Sequence, residues 1–175
     1  MCSWNAMPTA PDNPAAPKPD GSRKVMRGTA RLAAVQALYQ MDLTQLDASA
    51  VITQFTGHRF DEADGAYYDK ADEQFFKDLV LGVVRAQRTV DPLISQHLAK
   101  GWRLSRIDSI LRAILRAATY ELSKRQDVPA KVIINEYLEV AHAFFGGDEP
   151  AVVNGILDAI ARELRPDEVK SPAHS

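Results

Sequence analysis

The sequence predicts an all-α fold, a compact bundle of about seven helices preceded by a disordered N-terminal extension. Apolar residues recur at three- and four-residue spacing along most of the chain, as in helices with one buried face. No segment alternates between apolar and polar residues for long enough to indicate a strand. Because 46% of the 175 residues are hydrophobic, the chain can bury one core, and we expect a single domain.

The domain boundaries follow from local composition. Residues 1–22 contain five prolines and few large apolar groups, so they bury too little surface to offset the entropy lost on ordering. We therefore expect 1–22 to be disordered, 23–166 to form the helical domain, and the polar residues 167–175 to be a flexible tail.

Two helices are predicted before the longest loop. The first runs from about Gly28 to about Gln45, and Asp47 is placed to cap a short second helix that ends near Phe55. The polar, acidic stretch from His58 to Asp69 is expected to be a loop.

Prolines and glycines divide the middle of the chain. The third helix buries a face between Phe75 and Val84, and Asp91-Pro92 is expected to separate it from a fourth that ends at Leu98. Gly101-Trp102 is predicted to be a turn. Ser105 to Asp108 resembles a capping box, so the fifth helix is expected to begin there.

The last two predicted helices flank a glycine-rich turn. Val128-Pro129 marks a sharp junction, after which the sixth helix runs to about Phe145. Gly146-Gly147-Asp148 separates it from the seventh, with Asp148 as the N-cap and Arg165-Pro166 as the end. Asn135 and Asn154 are expected to be structural, with Asn135 buried and tying two helices by hydrogen bonds.

The sequence offers no catalytic, cofactor or metal site. The four histidines lack HxxxH or HExxH spacing, and there is no P-loop, GxGxxG or GxSxG. The single cysteine, Cys2, leaves no disulfide or cysteine cluster, and the acidic run from Asp61 to Gly65 lacks calcium-ligand spacing. We expect a protein that is not an enzyme and has no catalytic residues, cofactor or metal.

Hydropathy argues against a membrane location. No apolar run approaches the roughly 20 residues that span a bilayer, and the N-terminus lacks the apolar core of a signal peptide. We therefore expect a cytoplasmic protein without a membrane partner.

Positive charge is concentrated locally, although the net charge is only −2. Five cations gather at the start of the first helix: Lys18, Arg23, Lys24, Arg27 and Arg31. Such a cluster suits an RNA phosphate backbone, while a solubilising tail explains it equally well. A second set comprises Arg112, Arg116, Lys124 and Arg125, which helix pairing with Asp108 and Glu121 explains in part.

Four motifs, in order, resemble the NusB family of transcription antitermination factors. They are AVQALY at 34–39, FFKDLVLGV at 75–83, LRAATYELSKRQDVPAKVIINE at 115–136 and VVNGILD at 152–158. The resemblance extends over residues 27–163. It implies an all-helical RNA-binding adaptor that, with the small-ribosomal-subunit protein NusE, binds single-stranded boxA RNA in nascent transcripts of ribosomal RNA operons. It also implies a partnership with the RNA polymerase elongation complex and other Nus factors, which promotes read-through of terminators.

The resemblance also indicates an RNA face. Arg27 and Arg31 fall at the arginine-rich start of the family's first helix, and Tyr39 ends AVQALY. Phe144 and Asp148 fall in the turn between the last two helices. With the neighbouring lysine, the predicted RNA-binding set is Lys24, Arg27, Arg31, Tyr39, Phe144 and Asp148.

The sequence departs from the family's RNA face in two places. Gly28 and Thr29 stand where the family can have arginines, and Val152 stands where an aromatic side chain can stack on a base. Lys18, Arg23 and Lys24 are positioned to replace the lost contacts. Two roles are compatible with Glu121, Lys124 and Arg125: they end the helix, or they contact a partner.

Two other functions are compatible with the same resemblance. A NusB-like domain also recruits RNA for ribosomal RNA cytosine methyltransferases, but that enzyme needs a further domain with a glycine-rich cofactor loop and catalytic cysteines, for which we expect no room in 175 residues. Alternatively, the chain forms a homodimer that hides the RNA face.

Overall fold

The computed structural model describes residues 20–59 and 71–169 of the chain. In these ranges it contains seven α-helices and no strand, which confirms the predicted fold class. The helices are α1 (Asp20–Thr44), α2 (Ala48–Gln54), α3 (Glu73–His97), α4 (Ser109–Lys124), α5 (Ala130–Phe144), α6 (Glu149–Leu164) and α7 (Pro166–Val169). A π-helical turn, Phe55–Arg59, follows α2, and a 3-10 turn, Leu104–Arg106, precedes α4.

Helix α4 lies at the centre of the bundle and packs against α1, α3, α5 and α6. Its buried face includes three alanines, Ala113, Ala117 and Ala118, whose small side chains let neighbouring helices approach closely. Helix α1 also buries alanines toward α3 and α4, including Ala30, which is fully buried. The core therefore combines small residues at helix contacts with larger apolar groups between them.

Gly82 marks the closest approach of α3 to α4. A Cβ atom at Gly82 would overlap the ring of Tyr120, whose hydroxyl donates to Asp78 at 3.1 Å. Only glycine leaves room for this ring, so Gly82 of the motif FFKDLVLGV has a packing role.

Two predicted boundaries at the chain ends are corrected by the structure. Helix α1 begins at Asp20, so residues 20–22 of the predicted extension are helical, while the predicted disorder of 1–19 lies outside the described residues. The predicted flexible tail begins with α7, and only 170–175 lie outside the described residues. Most of the predicted loop from His58 to Asp69 also lies outside them.

The predicted break at Pro92 is wrong, because α3 continues through it to His97. Pro92 is exposed, so the carbonyl group that loses its helical hydrogen bond can bind water instead. On the opposite face, Val90 and Ile94 are buried and hold both sides of the proline against the core.

Capping residues are confirmed at one helix and corrected at another. The Asp47 carboxylate accepts a hydrogen bond from Ala50 N–H at 2.8 Å, which confirms it as the cap of α2. Ser105 does not start α4 but lies in the 3-10 turn. The cap is Asp108, whose Oδ1 accepts from the N–H groups of Ile110 and Leu111 at 2.8 and 3.2 Å.

Candidate nucleic-acid interface

Helices α1 and α5 lie side by side, run in the same direction, and enclose a groove with two pockets. At its N-terminal end, residues 23–31 of α1 face residues 127–136, and a basic pocket of about 310 Å³ lies between them. At its C-terminal end, residues 35–43 of α1 face Phe144, and an aromatic pocket of about 320 Å³ lies there. On a helix that rises 1.5 Å per residue, Arg27 and Tyr39 are roughly 18 Å apart. The α1–α5 groove thus brings Lys24, Arg27, Tyr39 and Phe144 to one surface, with Arg31 buried beneath it.

The basic pocket contains two free cations. Arg23 and Lys24 are both exposed, and neither forms an ion pair with any residue that the structure describes. The pocket is therefore electropositive at its outer edge, where a phosphate could approach without displacing a protein carboxylate.

Arg27 lies deeper in the basic pocket and is held loosely. Its guanidinium stands 4.0 Å from an Asp72 oxygen and 3.8 Å from an Asp127 oxygen, too long for strong hydrogen bonds. Its Nε is buried and has no hydrogen-bond partner among the residues that the structure describes. The guanidinium also lies over the Phe75 ring, so a phosphate that enters the pocket has no short ion pair of Arg27 to displace.

Arg31 is a buried structural residue in this structure, contrary to its predicted place on the RNA face. Its side chain is 3% exposed, and its Nε and Nη2 donate to the two carboxylate oxygens of Glu121 at 2.8 and 2.9 Å. Burial opposes its charge, but the hydrogen bonds and negative charge of Glu121 raise the pKa of Arg31 above its ordinary value. The guanidinium is thus fully charged, paired with Glu121 and covered from solvent.

Tyr137 extends this buried cluster. It is completely buried, and burial followed by the charge of Glu121 raises the pKa of Tyr137 well above its ordinary value. The phenol therefore stays protonated. Arg31 joins α1 to α4 through Glu121 and lies 3.8 Å from Glu136 of α5, while the buried Tyr137 hydroxyl has no hydrogen-bond partner in the described ranges.

Phe75 of α3 is surrounded by three guanidinium groups. Those of Arg27, Arg31 and Arg125 lie 4.8, 5.0 and 5.0 Å from the centre of its ring, within the range of cation–π attraction. Phe75 was expected to be an ordinary core residue, and no local pattern in the sequence signals these contacts.

Arg125 is held by two acidic residues, which supports its helix-ending role. It donates to both oxygens of Asp127 at 2.9 and 3.0 Å and to Asp78 at 3.0 Å. The hydrogen bonds from Arg125 lower the pKa of Asp127, and the same bonds raise the pKa of Arg125. Lys124, by contrast, is exposed.

Tyr39 and Phe144 meet in the aromatic pocket. Both are half-buried and lie among the apolar residues Val35, Leu43 and Ile110, with Gln36 and Gln40 at the polar side. A pocket with apolar walls, two aromatic rings and amide groups has the chemistry to hold an unstacked base. The structure thus places together two predicted residues that lie more than 100 positions apart in the sequence.

Asp148 occupies the N-cap position just before α6 but does not cap the helix through its side chain. It is exposed, and its carboxylate accepts no hydrogen bond from the first turn of the helix. The predicted N-cap position is therefore correct. The predicted side-chain capping is wrong, because the Asp148 carboxylate accepts no hydrogen bond from the first turn of α6. Asp148 thus stays a proposed contact residue beside Phe144.

The two departures from the family pattern have structural consequences. A Cβ at Gly28 would lie 3.3 Å from the Glu136 carboxylate, so glycine lets α1 approach that side chain closely. Val152 is partly buried and packs against the core. It presents no aromatic ring at this position.

Two members of the second basic set, Arg112 and Arg116, form ion pairs with residues distant in sequence. Arg112 binds Asp42 at 2.9 Å, and Arg116 binds Asp91 at 2.8 Å. The predicted helix partners have other roles, because Asp108 caps α4 and Glu121 binds Arg31.

The expectation that Asn135 is buried is wrong. Asn135 and Asn154 are both exposed and line a separate cavity of about 560 Å³ between α5, α6 and α7. Within the described ranges, no group of three or more histidine, cysteine or acidic side chains could hold a metal ion. None of the described helices combines the length and apolar character needed to cross a membrane.

A model of the NusB family matches residues 28–162 of the chain. The transcription antitermination protein NusB of Rhodopseudomonas palustris (strain HaA2) is 53% identical over 154 residues, which cover 87% of this chain and 91% of the relative. That of Allorhizobium ampelinum is 52% identical and covers 87% of this chain and 96% of the relative.

Solved structures share the fold. T. maritima NusB superimposes with a TM-score of 0.65 at 29% identity, over 78% of this chain and 91% of that one. A crystal structure of the antitermination factors NusB and NusE in complex with double-stranded RNA has a TM-score of 0.64 at 22% identity, over 83% and 99% of the two chains. The chain therefore belongs to the NusB family, a family of transcription antitermination factors and not of enzymes.

Proposed function

We propose that this protein binds boxA RNA in nascent ribosomal RNA transcripts through the α1–α5 groove, together with NusE. The observation that carries the proposal is the continuity of the basic and aromatic pockets along one pair of helices. Cations bind the phosphate backbone, and aromatic rings stack on unpaired bases, which is the usual division of labour in single-strand recognition. The complex of a related fold with NusE and RNA supports both partners.

Each groove residue has a distinct part in this proposal. Lys24 and Arg27 neutralise phosphates at the basic pocket, while Tyr39 and Phe144 hold a base in the aromatic pocket. Asp148 accepts a hydrogen bond from a base amino group, since its carboxylate is not used as a cap. Arg31 acts from beneath the groove by fixing α1 against α4.

The adaptor acts by assembling other components. With NusE and the other Nus factors bound, the RNA polymerase elongation complex reads through terminators. Because read-through concerns transcripts that are still being made, we place this activity in the cytoplasm.

Gel-shift titration with boxA RNA and a scrambled RNA, each with and without NusE, tests the function. We expect tighter binding to boxA, and Tyr39→Ala/Phe144→Ala should weaken it by roughly tenfold or more, because base stacking contributes about 1–3 kcal/mol per base. Lys24→Ala/Arg27→Ala should weaken the binding of both RNAs. Equal affinity for the two RNAs under all conditions would contradict boxA recognition.

Arg85→Ala/Arg88→Ala is the matched control. It removes two cations that are exposed on α3 and form no ion pair with a described residue. It should leave boxA affinity within about twofold of the unmodified protein.

A homodimer that covers the groove is the competing proposal. Three exposed apolar side chains, Val25, Leu43 and Val132, lie on α1 and α5 and favour it. Light scattering with and without NusE and RNA separates the two, because a dimer that persists in the RNA-bound complex cannot be hiding the RNA face.

A further inference from the structure

The segment that joins α3 to α4, residues 98–108, is a firmly anchored loop. Leu104 is buried at its centre, and its carbonyl oxygen accepts a hydrogen bond from Arg112 at 3.1 Å. The N–H of Trp102 donates to the carbonyl of Ala99 at 2.9 Å, and Gly101 between them has a φ of 87° that glycine adopts without strain. The backbone is therefore fixed, and the exposed side chains project from a defined surface.

That surface is basic and carries an aromatic ring. Lys100, Arg103 and Arg106 are exposed, and none forms an ion pair with any residue in 20–59 or 71–169. Trp102 is 49% exposed. We call these four residues the Trp102 patch. The neighbouring Arg112 and Arg116 are both paired with carboxylates, so the unpaired cations on this side of α4 belong to the loop.

The Trp102 patch lies beyond the aromatic end of the α1–α5 groove. Arg112 connects the two places, because it binds Asp42 of α1 and the Leu104 carbonyl together. Asp42 is next to Leu43 in sequence, and Leu43 lines the aromatic pocket. Ile110, two residues after the loop, lines the same pocket, so the loop and the aromatic pocket are neighbours in the fold.

We propose that the Trp102 patch is a second contact surface for single-stranded RNA, which binds nucleotides flanking the segment held in the α1–α5 groove. The proposal rests on the function proposed above and extends it to a longer RNA. Lys100, Arg103 and Arg106 neutralise flanking phosphates, and Trp102 stacks on an unpaired base.

The chemistry favours RNA over an acidic protein. A half-exposed tryptophan flanked by unpaired cations offers a stacking platform beside phosphate-binding groups, a combination that binds single strands of any sequence. Continuity with the groove adds a geometric reason, since one strand can occupy both surfaces.

Affinity for RNAs of different length tests the proposal. The probes are boxA RNA alone and boxA RNA with about 6 uridines added at the 5′ or the 3′ end, a length within single-strand site sizes. We expect one extended RNA to bind more tightly than boxA alone. Arg103→Ala/Arg106→Ala should abolish that gain and reduce the logarithmic salt slope of the extended RNA by about 1.4, whereas Arg85→Ala/Arg88→Ala should change neither.

Tryptophan fluorescence reports on the patch directly. The chain has two tryptophans, so Trp4→Phe leaves Trp102 as the sole emitter. We expect the extended RNA to quench this emission and boxA alone to leave it nearly unchanged. Trp102→Ala should weaken the binding of the extended RNA by about tenfold and leave the affinity for boxA alone unchanged.

The outcomes separate this proposal from the one on which it rests. If boxA binds through the groove and neither extension adds affinity or quenching, the patch is not an RNA surface and the groove proposal stands. If boxA itself fails to bind, the groove proposal fails. If Arg103→Ala/Arg106→Ala weakens NusE binding at unchanged affinity for every RNA, the patch is a protein-docking surface and the inference is overturned.

Discussion

Arg31 and Glu121 place opposite charges in the interior of the bundle, where each depends on the other. Both side chains are almost completely buried and are joined by two short hydrogen bonds. Removing Arg31 leaves Glu121 as a buried charge without an ion-pair partner in the described ranges, which is far more costly than the pair itself.

We therefore expect Arg31→Ala to lower the free energy of unfolding by about 3–5 kcal/mol. Urea denaturation followed by circular dichroism measures this change. Arg31→Met/Glu121→Leu removes both charges and should recover a large part of the loss. If the Arg31→Ala protein is as stable as the original but binds boxA poorly, Arg31 contacts RNA and is not a structural residue.

At the scale of whole elements, the short helix α7 and the residue before it, Arg165, stabilise the turn between α4 and α5. Arg165 is buried and donates to four carbonyl groups at the C-terminal end of α4 and the following turn. The acceptors are the carbonyl oxygens of Glu121, Leu122, Arg125 and Val128, at distances of 2.6 to 3.1 Å. Glu168 of α7 accepts from the N–H of Ala130 at 2.7 Å and so caps α5 from outside the helix.

Arg165→Met should lower the free energy of unfolding by roughly 3 kcal/mol, because it removes four hydrogen bonds and leaves the Leu122 and Val128 carbonyls without a donor among the described residues. Glu168→Ala removes only the cap of α5 and should cost about 1 kcal/mol. Thermal and urea denaturation compare the two variants with the unmodified protein. Equal, small effects of both substitutions would show that this segment does not stabilise the α4–α5 turn.

For the whole molecule, charge pairing rather than net charge determines which cations remain accessible to a ligand. The net charge is −2, and many arginines are already neutralised within the fold, including Arg31, Arg112, Arg116 and Arg125. In the groove, the cations accessible to RNA are Arg23, Lys24 and the loosely held Arg27.

Three phosphate contacts predict a logarithmic salt slope of about −2 for boxA RNA, since single strands give about −0.7 per phosphate. Titrations at several salt concentrations measure the slope, with Lys24→Ala/Arg27→Ala expected to reduce it by about 1.4. A slope near zero would mean that the groove cations do not contact phosphates.

Several parts of the fold could be predicted from the sequence because their signals are local. Helical periodicity located all the large helices, and Asp47 was identified as a cap from its position alone. Pro92 misled the prediction, since its local preference was outweighed by the burial of Val90 and Ile94.

The candidate site was predictable only in part. Tyr39 and Phe144 came from the family resemblance, and the structure adds that they share one pocket. The Trp102 patch was missed, because a turn containing Gly101 and Trp102 gives no sign of which side chains are exposed and unpaired.

The sequence by itself determined the helical class, the approximate helices and, through the order of its motifs, the family. Only the tertiary structure decided which arginines are free to meet RNA. Arg27 and Arg31 are four residues apart and look alike in sequence, yet Arg31 binds a carboxylate 90 positions away, while Arg27 keeps only long ion pairs. Periodicity reports the face of a helix that is buried, but a charge pair between distant segments forms only when the helices pack.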